Sequence, residues 1–166
     1  MKYRSLSNTS FDELFEAFQQ AFADYEIQLD KGEHWAMLKR RGFNPELSFA
    51  AFDENKIVSF TCNGIGYFDG ALTAYDTGTG TLKEYRGQGL ATQVFEYSIP
   101  YLKQAGIKEY LLEVLQHNTG AVSVYQKIGF DVSREFYYFR PETSQIITEV
   151  KSIGFPYTIQ PIDINE

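Results

Sequence analysis

The sequence predicts a mixed α/β (α+β) fold built on one mostly antiparallel sheet. The chain opens with a helical pattern, continues with three strands in a row, and then alternates between helix and strand. Consecutive strands joined by short turns are typical of an antiparallel meander, and the later strand–helix–strand unit extends the same sheet. The length of 166 residues suits one domain, since domains usually contain ~100–200 residues.

The N-terminal part is predicted to be helical. Apolar residues recur three and four positions apart over 11–22, and Ser10 or Thr9 is placed to cap this helix. A shorter helix is predicted for Gly32–Arg41. The polar and aromatic stretch 23–31 between them is predicted to be a loop.

The middle of the chain is predicted to form the meander. Its strands are Leu47–Phe52, Ile57–Ile65 and Ala71–Leu82. Residues 53–56 and the pair Asp69-Gly70 provide the turns, because Asp-Gly suits the positive φ of tight hairpins.

The last part alternates. A helix is predicted for Gly89–Gln104, where Pro100 removes one backbone hydrogen bond and is expected to kink or break it. A strand at Tyr110–Leu115 follows, then a helix over 118–128 capped by its first residue, and a strand over 130–139.

Composition excludes several classes of protein. The chain has 15 basic and 22 acidic residues, a net charge of −7, which disfavours a nucleic-acid partner. One cysteine and two histidines do not build a zinc cluster, so no metal is expected. No apolar run reaches the ~18 residues of a membrane span. A cytoplasmic protein without a membrane partner is therefore expected.

The strongest chemical signal is the run Arg86-Gly87-Gln88-Gly89-Leu90-Ala91 between a strand and a helix. Glycines allow consecutive N–H groups to turn inward, and a helix N-terminus adds partial positive charge, so the run suits a pyrophosphate. It lacks the Gly-Lys-Ser/Thr of a P-loop, and Thr92 stands where a dinucleotide fingerprint has its third glycine. A tight helix start is the alternative interpretation.

A second group of polar residues comes later in the chain. Asn118 and Tyr125 are two helical turns apart, so they face the same side of their helix. A tyrosine there is suited to protonate a leaving thiolate, although core packing explains it equally well. Glu113 lies in an apolar strand, where burial would raise its pKa toward that of a base, and an edge carboxylate facing water is the alternative.

These residues resemble the GNAT acetyltransferase superfamily. Its Arg/Gln-x-x-Gly-x-Gly/Ala motif is matched by Arg86, Gly89 and Ala91, and its later Asn–Tyr–Gly-Phe pattern is matched by the residues at 118, 125 and 129–130. The resemblance covers roughly residues 1–139. It implies a central sheet splayed between strands 4 and 5 and flanked by about four helices. Residues 1–140 are expected to form the domain and 141–166 a C-terminal extension, for which mixed strand signals leave an added strand as one interpretation.

The resemblance implies acetyl-CoA as cosubstrate and direct transfer to an amine. Tyr125 would protonate the departing thiolate, and Glu113 or Asp76 would be the general base. A strand amide near Thr79 would polarise the thioester carbonyl. The residues implied to bind the cofactor are Thr79, Thr81, Leu82, Arg86, Gly87, Gln88, Gly89, Leu90, Ala91, Thr92 and Asn118.

The acceptor is predicted to be a primary amine of a small molecule or a peptide. Its site would be walled by residues 25–35 and 136–138, which are rich in rings and carboxylates. His34 and His117 are expected at the surface, and Cys62 is expected to be a small buried hydrophobe rather than an acylated nucleophile. A CoA-binding regulatory domain without turnover, a nucleotide-binding enzyme and a homodimeric assembly stay open as alternatives.

Overall fold

A computed structural model describes residues 1–25 and 28–137. The chain divides into two compact units, Met1–Asp131 and Val132–Glu166. The predicted extension 141–166 lies outside the described residues. The elements of the first unit are β1 (Lys2–Ser5), α1 (Phe11–Ala21), α2 (Lys31–Arg40), β2 (Phe49–Asp53), β3 (Lys56–Phe68), β4 (Ala71–Thr81), α3 (Leu90–Gln104), β5 (Glu109–Leu111) and α4 (Thr119–Ile128), with a short 3₁₀ turn at Lys83–Tyr85.

The predicted mixed sheet is confirmed. Its strands lie in the order β1-β2-β3-β4-β5, antiparallel except for the parallel pair β4–β5. Strands β4 and β5 pair only over Thr73–Tyr75 and Glu109–Leu111, whereas β4 continues to Thr81. The two strands are therefore splayed as predicted, and among the described strands only β3 pairs with the C-terminal part of β4.

Local sequence sets the helix ends. Ser10 caps α1, since its hydroxyl accepts from the Glu13 N–H and the Glu13 carboxylate accepts from the Ser10 N–H. Asp30 and Glu33 form the same reciprocal cap at the start of α2. Helix α3 runs through Pro100 without a break.

The observed strands differ from the predicted ones in three places. The edge strand β1 was not predicted, because its four residues alternate without an apolar run and pair only with β2. No strand is present in residues 130–137, so the strand predicted for 130–139 is wrong over that part of the chain. Strand β5 also ends at Leu111, earlier than predicted.

The core lies on both faces of the sheet. One cluster under α1 and α2 contains Leu14, Leu38 and Phe60, and a second cluster under α3 contains Phe49 and Val94. Helix α1 approaches β4 closely, because a Cβ at position 80 would lie 2.9 Å from the Cβ of Ala21. This contact holds the end of α1 beside the free part of β4.

A β-bulge interrupts β4 where it leaves β5. Cys62 of β3 is opposite Gly78, and Asn63 is opposite Asp76, so Thr77 has no partner residue on β3. The Thr77 hydroxyl donates to the Cys62 carbonyl oxygen (2.9 Å). Bulges re-aim the side chains beside them, and here the neighbouring side chain is the carboxylate of Asp76.

Candidate active site

Two adjoining cavities lie along the free part of β4. The first, about 120 Å³, is lined by Thr61, Thr79, Gly80, Thr81, Ala91, Phe95, Ala121, Val124, Tyr125 and Ile128. The second, about 220 Å³, is lined by Phe22, Tyr25, Arg41, Tyr75, Asp76, Thr77, Gly78, Thr79, Glu113, Val114, Leu115, Asn118, Ala121 and Tyr125. They share Thr79, Ala121 and Tyr125, which therefore stand where one cavity meets the other.

The glycine loop leaves its peptide N–H groups unpaired within the described residues. Gly87 (φ 75°) and Gly89 (φ 74°) occupy the left-handed region that favours glycine. Within the described residues, the N–H groups of 87–92 have no hydrogen-bond acceptor. They include the first donors of α3, where the helix dipole also favours an anion. This geometry suits phosphate groups.

Arg86 points away from this loop. Its guanidinium donates to the Ala21 carbonyl oxygen (2.7 Å) and the Thr81 carbonyl oxygen (3.2 Å), and lies 3.5 Å from the Asp24 carboxylate. Arg86 thus connects the C-terminal end of α1 to the end of β4. The C-terminal end of a helix is a favourable place for a cation. The structure gives Arg86 a positioning role in these contacts.

The other predicted cofactor residues divide by position. Thr79, Thr81 and Ala91 line the first cavity. The side chains of Leu82 and Leu90 are buried in the two core clusters. Two predicted residues point elsewhere or lie apart: Gln88 donates to the Glu84 carbonyl oxygen (3.3 Å), and Thr92, on the first turn of α3, lines neither cavity.

Asn118 lies at the second cavity. Its side-chain oxygen Oδ1 accepts from the Ala121 N–H (3.3 Å) and caps α4, as predicted. Its amide group donates to the hydroxyl of Tyr25 (2.8 Å), which brings one of the predicted acceptor walls against α4.

Asp76 and Tyr125 meet at the junction of the cavities. The Tyr125 hydroxyl donates to Oδ2 of Asp76 (2.8 Å), and so does the hydroxyl of Thr79 (2.8 Å). The Gly78 N–H donates to Oδ1 (2.8 Å). Burial raises the pKa of Asp76, while the hydrogen bonds from Thr79 and Tyr125 oppose that rise.

The environment of Tyr125 keeps its proton in place. Burial raises the pKa of this phenol, and the nearby charge of Asp76 raises it further. A carboxylate with a raised pKa in contact with a protonated phenol is an arrangement in which one group accepts a proton while the other supplies one.

Glu113 lies outside the strand predicted for it. It follows the last residue of β5, Leu111, by two positions and is exposed, in agreement with the alternative of a carboxylate facing water. Glu113 lines the second cavity beside Tyr75. Burial raises the pKa of Tyr75, and the charge of Glu113 raises it further. Asp76 is the candidate base that touches Tyr125.

The predicted acceptor walls are only partly assembled. Tyr25 lines the second cavity, whereas Trp35 packs on Phe11 with ring centroids 4.8 Å apart. Residues 26, 27 and 138 lie outside the described residues. Phe136 belongs to the second unit.

The remaining candidates have structural positions. Cys62 is 1% exposed and burial raises the pKa of its thiol, in agreement with the predicted small hydrophobe. His34 was expected at the surface but is 1% exposed, stacked on Phe18 at 3.9 Å between ring centroids. Its Nδ1 has no hydrogen-bond partner, and burial lowers the pKa of His34 to about 4. His117 is exposed, as predicted.

Two absences concern only the described part of the chain. Residues 1–25 and 28–137 hold no cluster of three or more candidate metal ligands. They also contain no helix that is long and apolar enough to cross a bilayer.

Sequence reasoning missed Arg41, Tyr75 and Thr77 as cavity residues. Arg41 precedes Gly42, a glycine at the end of α2 that indicates a change of chain direction. Nothing in the sequence shows that this change places Arg41 beside β4. Thr77 precedes Gly78 in a strand, a composition typical of bulges.

Comparison with known proteins decides the family. The profile of the Acetyltransferase (GNAT) family matches residues 9–130. The chain belongs to this family. It is therefore an acyl-CoA-dependent N-acetyltransferase that transfers an acetyl group from acetyl-CoA to an amine.

Curated GNAT relatives match much of the chain. N-alpha-acetyltransferase 30 of Schizosaccharomyces pombe is 32% identical over 117 residues, 68% of this chain and 78% of that protein. N-alpha-acetyltransferase MAK3 of Arabidopsis thaliana is 28% identical over 57% of this chain and 50% of that protein.

A solved structure shares the GNAT fold. A chain of the NatC complex bound to Gag peptide and CoA superposes with a TM-score of 0.65 at 22% identity, over 78% of this chain and 84% of that one.

Proposed function

We propose that this acetyltransferase works by direct transfer within a ternary complex, with Asp76 as general base and Tyr125 as general acid. The observation that carries the proposal is the 2.8 Å hydrogen bond between these two groups at the residues shared by both cavities. One cavity leads toward the glycine loop and contains Ala91. The other contains aromatic and charged side chains suited to an acceptor.

The donor would bind through the backbone. The N–H groups of 87–92 would hold the CoA phosphates, and the pantetheine arm would lie along Thr79–Thr81, where no second strand of the described part of the chain pairs with β4. The thioester would then lie near Thr79, where a strand N–H would polarise its carbonyl.

The proposed reaction balances with two protein groups. The neutral amine attacks the thioester carbon, and Asp76 takes the proton that the new C–N bond makes acidic. The C–S bond of the tetrahedral intermediate breaks, and Tyr125 donates its proton to the leaving thiolate. Asp76 returns its proton to the phenolate through their shared hydrogen bond, so the amide and CoA are formed and both groups regain their initial state.

The acceptor is proposed to be a primary amine of a small molecule or a peptide N-terminus. Two relatives are named N-alpha-acetyltransferases, and one structural neighbour holds a peptide, which supports a peptide amine. The aromatic rings of Phe22, Tyr25 and Tyr75 along the second cavity suit the organic part of such an acceptor. A cytoplasmic location and a homodimer remain predictions from sequence.

A thiol-release assay tests this function. The protein is incubated with acetyl-CoA and a panel of small amines and short peptides, and CoA release and acetylated product are both measured. We expect amine-dependent release that Asp76→Asn abolishes while acetyl-CoA still raises Tm. Stabilisation by acetyl-CoA without release for any amine would instead favour a CoA-binding regulatory domain, and full activity of Asp76→Asn would overturn the assigned base.

A further inference from the structure

The second cavity carries a positive charge whose position is fixed by the backbone. Arg41 caps α2, and its N–H donates to the Met37 carbonyl oxygen (3.0 Å). The next residue, Gly42, has φ 70°. The carbonyl oxygen of Arg41 lies so close to β3 that a Cβ at Gly64 would collide with it. The backbone of Arg41 is thus held beside β3, so its side chain begins close to β3 and β4.

The guanidinium of Arg41 is largely unsatisfied. Its Cζ lies 5.5 Å from the ring centroid of Tyr75, and Nη1 lies 3.5 Å from the Thr77 carbonyl oxygen, a long contact. Among the described residues no carboxylate lies within ion-pair distance of it. A guanidinium has five N–H donors, so most of this group is available to a ligand in the cavity.

Arg86 provides a comparison, because the contacts of its guanidinium stabilise the fold. Its guanidinium donates to two backbone carbonyl oxygens, at 2.7 and 3.2 Å, and also lies near a carboxylate. Arg41 has no comparable set of partners, although the protein is acidic with a net charge of −7. Stabilisation of the fold therefore accounts for Arg86. Among the described residues Arg41 has the Tyr75 ring, the long contact with Thr77 and the nearby charge of Asp76, whose pKa it lowers, and these leave most of its N–H donors unused.

Arg41 is next to the proposed chemistry. Thr77, whose carbonyl oxygen it contacts, directly follows Asp76 in β4. Tyr75, whose ring it overlies, directly precedes Asp76. An acceptor whose amine reaches Asp76 would therefore present atoms a few bonds away to the guanidinium.

We propose that Arg41 binds a carboxylate of the acceptor, so the enzyme favours primary amines that carry a carboxylate a few bonds from the nitrogen. The guanidinium matches a carboxylate in shape and charge and forms paired hydrogen bonds with it. This chemistry is present in a free amino acid and in a peptide that begins with an acidic residue. The inference rests on the proposed function, because Asp76 defines where the amine lies.

Matched acceptor pairs test the contact. Leucine is compared with leucinamide, and a C-terminally amidated Asp-Ala peptide with the corresponding Asn-Ala peptide, at saturating acetyl-CoA. A hydrogen bond to a charged group contributes about 1.5–3 kcal/mol, which corresponds to a preference of about 10- to 100-fold in kcat/KM. We expect this preference in at least one pair, mainly through KM. The pair that shows it identifies the source of the carboxylate.

Variants assign the preference to Arg41. We expect Arg41→Gln to reduce the ratio within the pair to near one, and Arg41→Lys to retain part of it. Arg40→Gln is the matched control, because Arg40 is the exposed last residue of α2 and lines neither cavity. Thermal unfolding of each variant shows whether the fold is retained. Calorimetric binding of the same pairs to the CoA-bound protein repeats the comparison without turnover.

Two results separate this inference from the proposed function. If the wild type acetylates both members of each pair equally, or Arg41→Gln keeps the preference, the role of Arg41 is wrong while acetyl transfer stands. If Asp76→Asn remains fully active, the proposed base is wrong whatever Arg41 does.

Discussion

The two cavities differ in the groups they offer to a ligand. On the proposed donor side these are peptide N–H groups from one continuous segment, residues 87–92, which have no partners within the described residues. On the proposed acceptor side they are side chains from the segment after α1, the end of α2, β4, the segment after β5 and α4. Backbone recognition depends on the conformation of one loop, whereas side-chain recognition depends on the packing of the whole domain. Substitutions should therefore affect the two sides in different ways.

The largest effect is expected from Asp76→Asn at the junction. Asparagine keeps an oxygen for the Gly78 N–H but is not a base, so we expect kcat to fall about a thousandfold. The Kd for acetyl-CoA should change little, which calorimetry measures. Tyr110→Phe is the matched control, since it removes a nearby buried hydroxyl that contacts Asn63 and neither cavity.

The pH profile sharpens the same prediction. Burial raises the pKa of Asp76. As the pH is lowered, the base therefore becomes protonated, and kcat/KM decreases, at a higher pH than for an ordinary aspartate. Asp76→Asn should lose this acidic limb. An unchanged limb in the variant would assign the ionisation to another group, with Glu113 as the next carboxylate to replace.

Tyr125→Phe is expected to have the next largest effect. The ring remains to pack against Phe130 (5.6 Å between centroids), but the proton for the leaving thiolate is lost, so we expect kcat to fall about a hundredfold. Acetyl-CoA should still raise Tm by a similar amount. Acyl donors with a more acidic thiol should recover part of the rate, and equal losses for all donors would contradict the role as acid.

Gly87→Ala tests the donor side by itself. Nothing lies within 4 Å of a Cβ at this position, so the only penalty is the positive φ of 75°, about 1–2 kcal/mol for an alanine. We expect acetyl-CoA to bind about tenfold more weakly, with the preference among acceptors unchanged. Gly120→Ala is the control, since this helical glycine lacks positive φ and its Cβ would meet only one atom, at 4.0 Å; a matching loss there would contradict the argument.

His34 gives the smallest expected effect and concerns the packing behind the acceptor side. Burial lowers the pKa of His34 from 6.5 to about 4. Between these values the unfolded chain binds a proton that the folded chain does not, so stability is complete above pH 6.5 and decreases as the pH falls.

Thermal unfolding measures this effect. We expect Tm to fall by about 5 °C between pH 7 and pH 5 from this group, and His34→Leu to remove that part of the decrease. His117→Leu is the control, because this residue is exposed. A wild-type pH dependence that persists in His34→Leu would contradict the assignment.

Sequence alone predicted the local backbone features of the proposed donor side, the glycine turn and the start of α4, because each depends on a few neighbouring residues. Glycines at 87 and 89 specify the loop, and Asn118 specifies the start of α4, within a few residues of where they act. The contact between Asp76 and Tyr125 joins residues 49 positions apart and depends on the bulge at Thr77. Both residues were predicted, but their contact was not.

The residues that line the second cavity were predicted less completely, because they come from distant segments. Glu113 was expected in a strand that ends before it, and Arg41 reaches the cavity only because the chain passes over Gly64. Strand β1 was not predicted because its four residues contain no apolar run that indicates a strand. Pairing with β2 makes this segment a strand. Contacts between distant segments set these features, and no short window of sequence contains them.

The short pairing between β4 and β5 has a consequence for the protein without its cosubstrate. From Asp76 onward no strand of the described residues pairs with the second edge of β4, and open strand edges are where sheets from separate molecules join. A pantetheine arm bound along that edge would take the place of an intruding strand. Acetyl-CoA would then protect the folded chain from self-association, and storage without it would favour aggregation.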